Sequence, residues 1–315
     1  MAWRFEPGEE LQAAFRRVSA EEISKVRSAL TSPETTRDRA IHEARQAFKR
    51  LRALVRVAKP SLGADFEGEN RRWRDAGRLL SVSRDTTVLL QCFDQLIADC
   101  GRELAGTEVE DLRKRLAPNG VATDGADLDD NVRQVLSLLD EAEASLGKLP
   151  WPDGKSALLR GFHRGQKRLR KNWKTARKHV EPDALHSWRK RVKDQAAQLR
   201  LLRGLMPNGL KARRNEEKET AELLGDEHDL WLLSGRLQSV SIPTELCGPR
   251  DRLIDEIERR RVTLQRQAFT KGEDFSAEKP KDFARAIGTA WDKAARRKGN
   301  GRRKHANGGA TSPEQ

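Results

Sequence analysis

The chain has 315 residues, 35% of them charged and 36% hydrophobic, with a formal net charge of +14. Seven Trp and nine Phe supply bulk for a core, and this composition favours a solvated helical protein, of one large or two smaller domains, over a disordered chain. The charge is local: residues 154–214 hold 19 Lys and Arg against 3 Asp and Glu, while the remainder is close to neutral, a pattern that points to a polyanion site more than to a solubility device.

Pro7 and Gly8 precede a first helix expected over 9–30, which stops at Thr31-Ser32-Pro33. A second helix begins near Thr36 and is expected to end before Pro60. Further helical stretches follow from Asp65 to Leu80, from Arg84 to Leu104, near Glu108–Leu116, and from Asp127 to Leu146. Residues 147–154, with two prolines around Trp151, read as a joint. Beyond it come Lys155–Val180 and a helix with Pro182 in its first turn, ended by Pro207-Asn208-Gly209. Leu210–Leu224, His228–Leu237, Arg250–Phe269 and Asp282–Arg297 complete the pattern, and a Gly-, Asn- and Lys/Arg-rich end reads as disordered. Sustained period-2 alternation is missing, so the expected fold is all-α with antiparallel neighbours and short loops.

The expected layout is an extension over 1–8, a first helical half over 9–147, a linker over 148–154, a second half over 155–295 and a basic tail over 296–315. Cys92, Cys100 and Cys247 lack metal spacing and read as small apolar residues in a reducing compartment. The N-terminus shows no signal-peptide core and no stretch is long and apolar enough to cross a bilayer, so a cytoplasmic, membrane-free protein is expected.

Two of these helices carry the same charges in the same order. His42, Arg45, Lys49 and Arg56 answer His186, Arg189, Lys193 and Arg200, each pair 144 residues apart. At about 100° per residue each set falls within roughly 60°, a single stripe on one helix face. The apolar positions Ile41, Phe48 and Val55 answer Leu185, Val192 and Leu199 at the same spacing, as Leu79-Leu80 answers Leu223-Leu224. Such a constant offset is the mark of an internal duplication. The basic row flanks the apolar face at roughly 110°, where it lines the rim of a packed helix pair. A third helix adds Arg160, Arg164, Lys167, Lys171, Lys174 and Lys178 within about 80°, like charges whose repulsion a bound polyanion would relieve. For the two histidines, hydrogen bonding to phosphate fits better than metal ligation, because the neighbouring cations oppose a metal ion.

The His-x-x-Arg-x-x-x-Lys helix, the run Ala184-Leu185-His186-Ser187-Trp188-Arg189-Lys190-Arg191-Val192-Lys193 and the Leu-Gly-x-x-x-Asp segment at Leu224–Asp229 resemble CHAD domains, the conserved histidine α-helical domains. The resemblance covers about residues 9–295. It implies two four-helix bundles related by internal pseudo-two-fold symmetry around a basic central channel, with inorganic polyphosphate as the ligand. By position it implies a site of His42, Arg45, Lys49, Arg52 and Arg56 from the first copy, and His186, Arg189, Lys190, Lys193 and Arg200 from the second. Phe162-His163-Arg164-Gly165 resembles the family's aromatic-x-Arg-Gly segment and adds Arg160, Arg164, Lys167 and Lys171. Arg74 and Lys218 match a basic position before the Leu-Leu pair, and Arg84 one before Asp85; His228 stands at the matching position of the second copy. Three departures are Ala196 in place of a basic residue, His228 in place of Arg or Asn, and Ser81 in place of Gly. Glu67-Gly68-Glu69 does not continue into the Glu-x-Glu-x-Lys strand of the triphosphate-handling barrel that often accompanies the family, so a free-standing domain is expected.

The leading expectation is therefore non-catalytic polyphosphate binding, extending to targeting or organising polyphosphate granules with granule proteins as partners. General polyanion or RNA binding is the alternative, since Trp173 and Trp188 sit among the basic residues, although both occupy apolar helix positions. An enzyme would need a metal-binding carboxylate cluster, a phosphorylatable nucleophile or a phosphate-gripping Gly loop, and the sequence offers no Gly-x-x-x-x-Gly-Lys-Ser/Thr. No metal or cofactor is expected.

Overall fold

The apolar positions that recur every three or four residues become buried helix faces, and helices are the only regular elements among the described residues. The computed structural model describes residues 3–80, 84–100, 107–116, 125–206 and 210–307, the side chains of 84–87, 125–127 and 297–307 excepted. The helices are α1 (Leu11–Thr31), α2 (Arg37–Leu62), α3 (Asp65–Leu79), α4 (Arg84–Cys100), α5 (Thr107–Leu116), α6 (Gly125–Ser145), α7 (Gly154–Lys178), α8 (Pro182–Leu201), α9 (Lys211–Ser239), α10 (Cys247–Ala277) and α11 (Pro280–Asn307). No helix among the described residues is long and apolar enough to cross a membrane.

Several expected boundaries move. Helix α2 runs through Pro60, which gives up one N–H bond to the preceding turn; Gly63, at φ 52°, then closes the helix. The stretches expected over 210–224 and 228–237 are one helix, α9, since Gly225 interrupts neither the backbone ladder nor the apolar face. Helix α11 continues to Asn307, past the expected end at Arg297, so the tail foreseen over 296–315 is helical in its first part; residues 308–315 lie outside the described residues. Val180, the expected end of the stretch from Lys155, lies beyond the end of α7 and is 50% exposed.

The cores do not divide at the expected linker. The largest joins α1, α2, α3 and α6 to the start of α7, the end of α8 and Phe283 and Ile287 of α11. A second packs α4 and α5 onto α9 and α10. The third joins Leu169 and Trp173 of α7, Leu185, Trp188 and Val192 of α8, and parts of α9 and α10. Elements from 9–147 and 155–295 thus share the first two cores, while the third is built from 155–295 alone. Residues 148–154 are part of this packing: Trp151 is buried, stacks on Phe15 with ring centroids 5.4 Å apart, and donates Nε1–H to Leu146 O at 3.1 Å. The described part of the segment 1–8 is likewise packed in. Trp3 Nε1–H donates to Ala197 O at 2.8 Å and the Phe5 N–H to Leu201 O at 2.8 Å. The three cysteines are free and half-buried, and burial pushes the Cys92 thiol up to about 12.

This packing lays the stripe helices against one another. Ile41, Phe48 and Val55 of α2 are buried, as are Leu185, Val192 and Leu199 of α8, which turns the basic row of each helix to the rim of its core.

Candidate anion-binding site

Helix α7 crosses α2 at Gly161, where a Cβ would lie 1.9 Å from Val57 O; only glycine lets the two backbones approach this closely. Helix α8 is tied to α2 beside that crossing by the buried Gln198, whose Nε2–H donates to Ala53 O at 2.9 Å. A second buried amide set fixes α7, α8, α9 and α10. Gln195 donates to Gln166 Oε1 at 3.0 Å, Gln166 donates to Phe275 O at 2.8 Å, and Arg213 reaches both glutamines. Each buried amide thus finds a partner, as a low-dielectric interior demands. The three basic helices are thereby rigidly joined.

At this junction Arg56 of α2, Arg164 and Arg168 of α7 and Arg191 of α8 line one cavity with Gly165 and a single acid, Asp194. Asp194 pairs with Arg56 and, at 3.1 Å, with Arg191. Arg52 stands beside this group. Burial, and then the charge of Arg56, brings its guanidinium down to about 10, with Arg191 and Arg74 adding to the effect and Asp194 opposing it. Arg168 and Arg191 are lowered by burial too, and by the charge of Arg56. Lys190 is lowered by burial and by Arg191, Arg56 and Arg52, against the opposing Asp183, so the rows of α2 and α8 feel each other's field. At about 10, Arg52 remains cationic at neutral pH. Arg74 is held by Asp75 through Nε at 2.8 Å and Nη2 at 3.2 Å.

Toward the start of α8, His186 stacks on His228 of α9 with ring centroids 4.2 Å apart, and His228 stacks in turn on Trp231 at 5.5 Å. Burial, then His228, Lys190 and Arg189, brings His186 down to about 4, while Asp183 opposes. His228 is lowered by burial and by Arg189. Both imidazoles are neutral at pH 7, and His186 Nδ1 is buried with no hydrogen-bond partner among the described residues. The Arg189 guanidinium lies against the α9 backbone at Gly225, where a Cβ would come within 2.8 Å of Nη2. Asp229 and Asp226 favour its charge, against the effect of its own burial. The Leu-Gly-x-x-x-Asp segment thus has a physical reading. Its glycine makes room for the arginine and its aspartate balances it.

The first copy repeats this in part: Arg45 donates Nη1–H to Leu80 O at 3.1 Å, and Leu80 is the residue equivalent to Leu224. His42 is half-buried and lines a groove between α1 and α2 with Glu21, Lys25 and Arg50. The side chain of Arg84 lies outside the described residues, as does Ser81. Lys49 and Lys193 are exposed on their helices, as are Arg160, Lys167 and Lys171 on α7. Arg200 joins a separate group in which burial and the charges of Arg50 and Arg203 lower it, with Glu22 opposing; Arg214 is lowered by burial and by Arg203 and Arg200. Lys218 does not join the site; it is a surface residue that pairs with Glu222 at 3.5 Å, one turn along α9.

Arg168, Arg191 and Asp194 were missed by the sequence reading. Arg168 follows Arg164 by one turn and shares its face, a usable signal. Arg191 lies about 200° from Arg189, so no single-helix stripe includes it. Trp173 and Trp188 are buried: Trp188 stacks on Phe269 at 5.1 Å and donates to Ser276 Oγ at 3.1 Å. Neither offers a face to a base.

An all-helical protein with duplicated basic helices brought to one junction is the class this arrangement defines. The CHAD domain family model matches residues 9–238, and the chain belongs to that family. The match stops at the end of α9 and leaves out α10 and α11, short of the expected extent to 295. No curated protein matches the chain significantly.

Proposed function

We propose that this chain binds inorganic polyphosphate, without catalysis, along the face shared by α2, α7 and α8. The observation that carries the reading is the junction of Arg52, Arg56, Arg164, Arg168 and Arg191, cations from three helices with one acid among them. Arg52, Arg168 and Arg191, lowered by burial and by the charge of Arg56, hold electrostatic free energy that a polyanion releases. Each arginine offers a planar fork of donors to phosphoryl oxygens, and a chain of phosphates supplies the repeated charge. Polyphosphate needs no stacking platform, which accords with the burial of both tryptophans. In this reading the two stripe helices are related by a pseudo-two-fold axis between two four-helix bundles, and their basic rows line a central channel. The protein is cytoplasmic and its role is to target or organise polyphosphate granules.

The test is a calorimetric titration with long-chain polyphosphate at about 150 mM salt, with single-stranded RNA as competitor. Binding that survives RNA and weakens at least tenfold in Arg52→Gln/Lys190→Gln, a variant with an unchanged melting curve, is the expected result. Equal affinity for RNA would make the face a general polyanion surface. Unchanged affinity in the variant would remove the α2–α8 junction from the site.

A further inference from the structure

The arginine cavity contains its own anion. The Asp194 carboxylate sits where Arg56 of α2 and Arg191 of its own helix converge, and all three side chains are at most 16% exposed. Arg164 and Arg168 line the same cavity from α7. Four guanidiniums around one carboxylate leave a clear excess of positive charge. The carboxylate nevertheless takes up a hydrogen bond from Arg56 and the charge of Arg191, both of which a phosphoryl oxygen would use.

The duplication shows that this acid is peculiar to one copy. The residue 144 positions before Asp194 is Arg50, and the residue 144 positions after Arg56 is Arg200. Where the first junction pairs Arg56 with Asp194, the second therefore sets Arg200 beside Arg50, and each repels the other. Arg50 is instead held by the buried Glu22, at 2.6 Å, on α1. One end of the basic face is plugged by an acid from within the site; the other is steadied from behind.

We propose that Asp194 is an internal competitor of the bound anion: a phosphoryl group enters the cavity by displacing its carboxylate from Arg56 and Arg191, and this competition sets the affinity of the site. The inference rests on the polyphosphate reading and names the residue that tunes it. Asp194 is not needed to hold the anion; it opposes it. Its removal therefore acts in opposite directions on fold and on binding. Without ligand, Arg56 and Arg191 lose their counter-charge and the protein melts earlier. With ligand, the same donors are free from the outset and binding tightens. A carboxylate with a merely structural role would weaken both.

The experiment measures wild type, Asp194→Asn, Asp194→Ala and Asp194→Glu by thermal melting and by titration with long-chain polyphosphate and with tripolyphosphate. The expected result is a lower melting temperature but about tenfold tighter binding for the asparagine and alanine variants, the size of a charged hydrogen-bond set no longer in competition. The glutamate variant, which keeps the anion, stays near wild type. Wild-type binding that is unchanged or weakened by both neutral variants overturns the inference and leaves the polyphosphate reading standing. No binding by wild type or by any variant overturns the polyphosphate reading, and this inference with it.

Discussion

Two glycines make contrasting predictions that separate fold from site. In Gly161→Ala the new methyl would lie 1.9 Å from Val57 O and 2.9 Å from Val57 C, both backbone atoms of α2. A carbon ordinarily approaches a carbonyl oxygen no closer than about 3.3 Å, so α7 must move away by roughly 1.4 Å. Overpacking of this kind costs about 1–3 kcal/mol or more, against which alanine returns about 1 kcal/mol of helix propensity. A net loss of about 2 kcal/mol lowers the melting temperature by about 3 °C in a chain of this size. The displaced helix also pulls Arg164 and Arg168 away from Arg56, so polyphosphate affinity falls with stability. In Gly225→Ala the nearest atoms instead belong to the tip of the Arg189 side chain, with Nη2 at 2.8 Å. A guanidinium can swing aside, so melting stays at or above wild type while affinity drops about three- to tenfold. Circular dichroism melts and calorimetric titrations of the two variants decide the matter. A Gly161→Ala protein as stable as wild type would refute the close crossing, and wild-type affinity in Gly225→Ala would refute the placement of Arg189 as a binding group.

Other expectations follow from buried groups. Glu217 is fully buried and burial pushes its carboxyl up to about 7, so the native state holds its proton more firmly than the unfolded chain does. Its contribution is present below pH 4.5 and is lost as pH rises through 7; the stability of wild type minus that of Glu217→Gln should fall across this window by of order 3 kcal/mol, and a flat difference in denaturant melts would contradict it. For His186 the sign is reversed: burial lowers it to about 4, so the stability it contributes is present above pH 6.5 and is lost as pH falls toward 4. Nuclear magnetic resonance of the imidazole should show a midpoint near 4 in free protein and an upward move with polyphosphate; a free midpoint near 6.5 would refute the buried stack. Trp188→Ala should lose about 3–5 kcal/mol in urea unfolding, because the ring is core and not a stacking platform.

How much of this was legible in the sequence depends on whether a feature lives on one helix or between helices. The stripes on α2 and α8 were readable because a constant offset of 144 repeats both charge and apolar positions, and the six paired apolar residues are all buried as their spacing requires. The junction was not readable, because Arg191 and Asp194 sit on a flank of α8 that gains meaning only when α2 and α7 arrive. Lys218 was assigned by position in a motif, yet a position beside a Leu-Leu pair says nothing about which neighbour shields it. The exchange of α4, α5 and α11 between cores was equally hidden: helix periodicity shows which face is buried and is silent about the partner that buries it. Local glycine signals told more than was drawn from them, since Gly161 and Gly225 both mark close approaches on the helices that carry the site.

A fold that gathers this many cations must be held by something other than electrostatics. Here the restraint is apolar and lies directly behind the site: Phe48 and Trp73 stack at 5.9 Å behind α2, and Trp188 stacks on Phe269 behind α8. Apart from the Arg56–Asp194 pair, buried glutamines join the basic helices to one another, and these amide joints take up none of the positive charge. Repulsion among the arginines is therefore carried by the core and remains available to an incoming anion. A ligand that binds only the folded state stabilises it in proportion to the logarithm of its concentration over Kd. On the proposed reading that gain would come largely from relieving repulsion already present, and the one internal acid at the junction, Asp194, would set it.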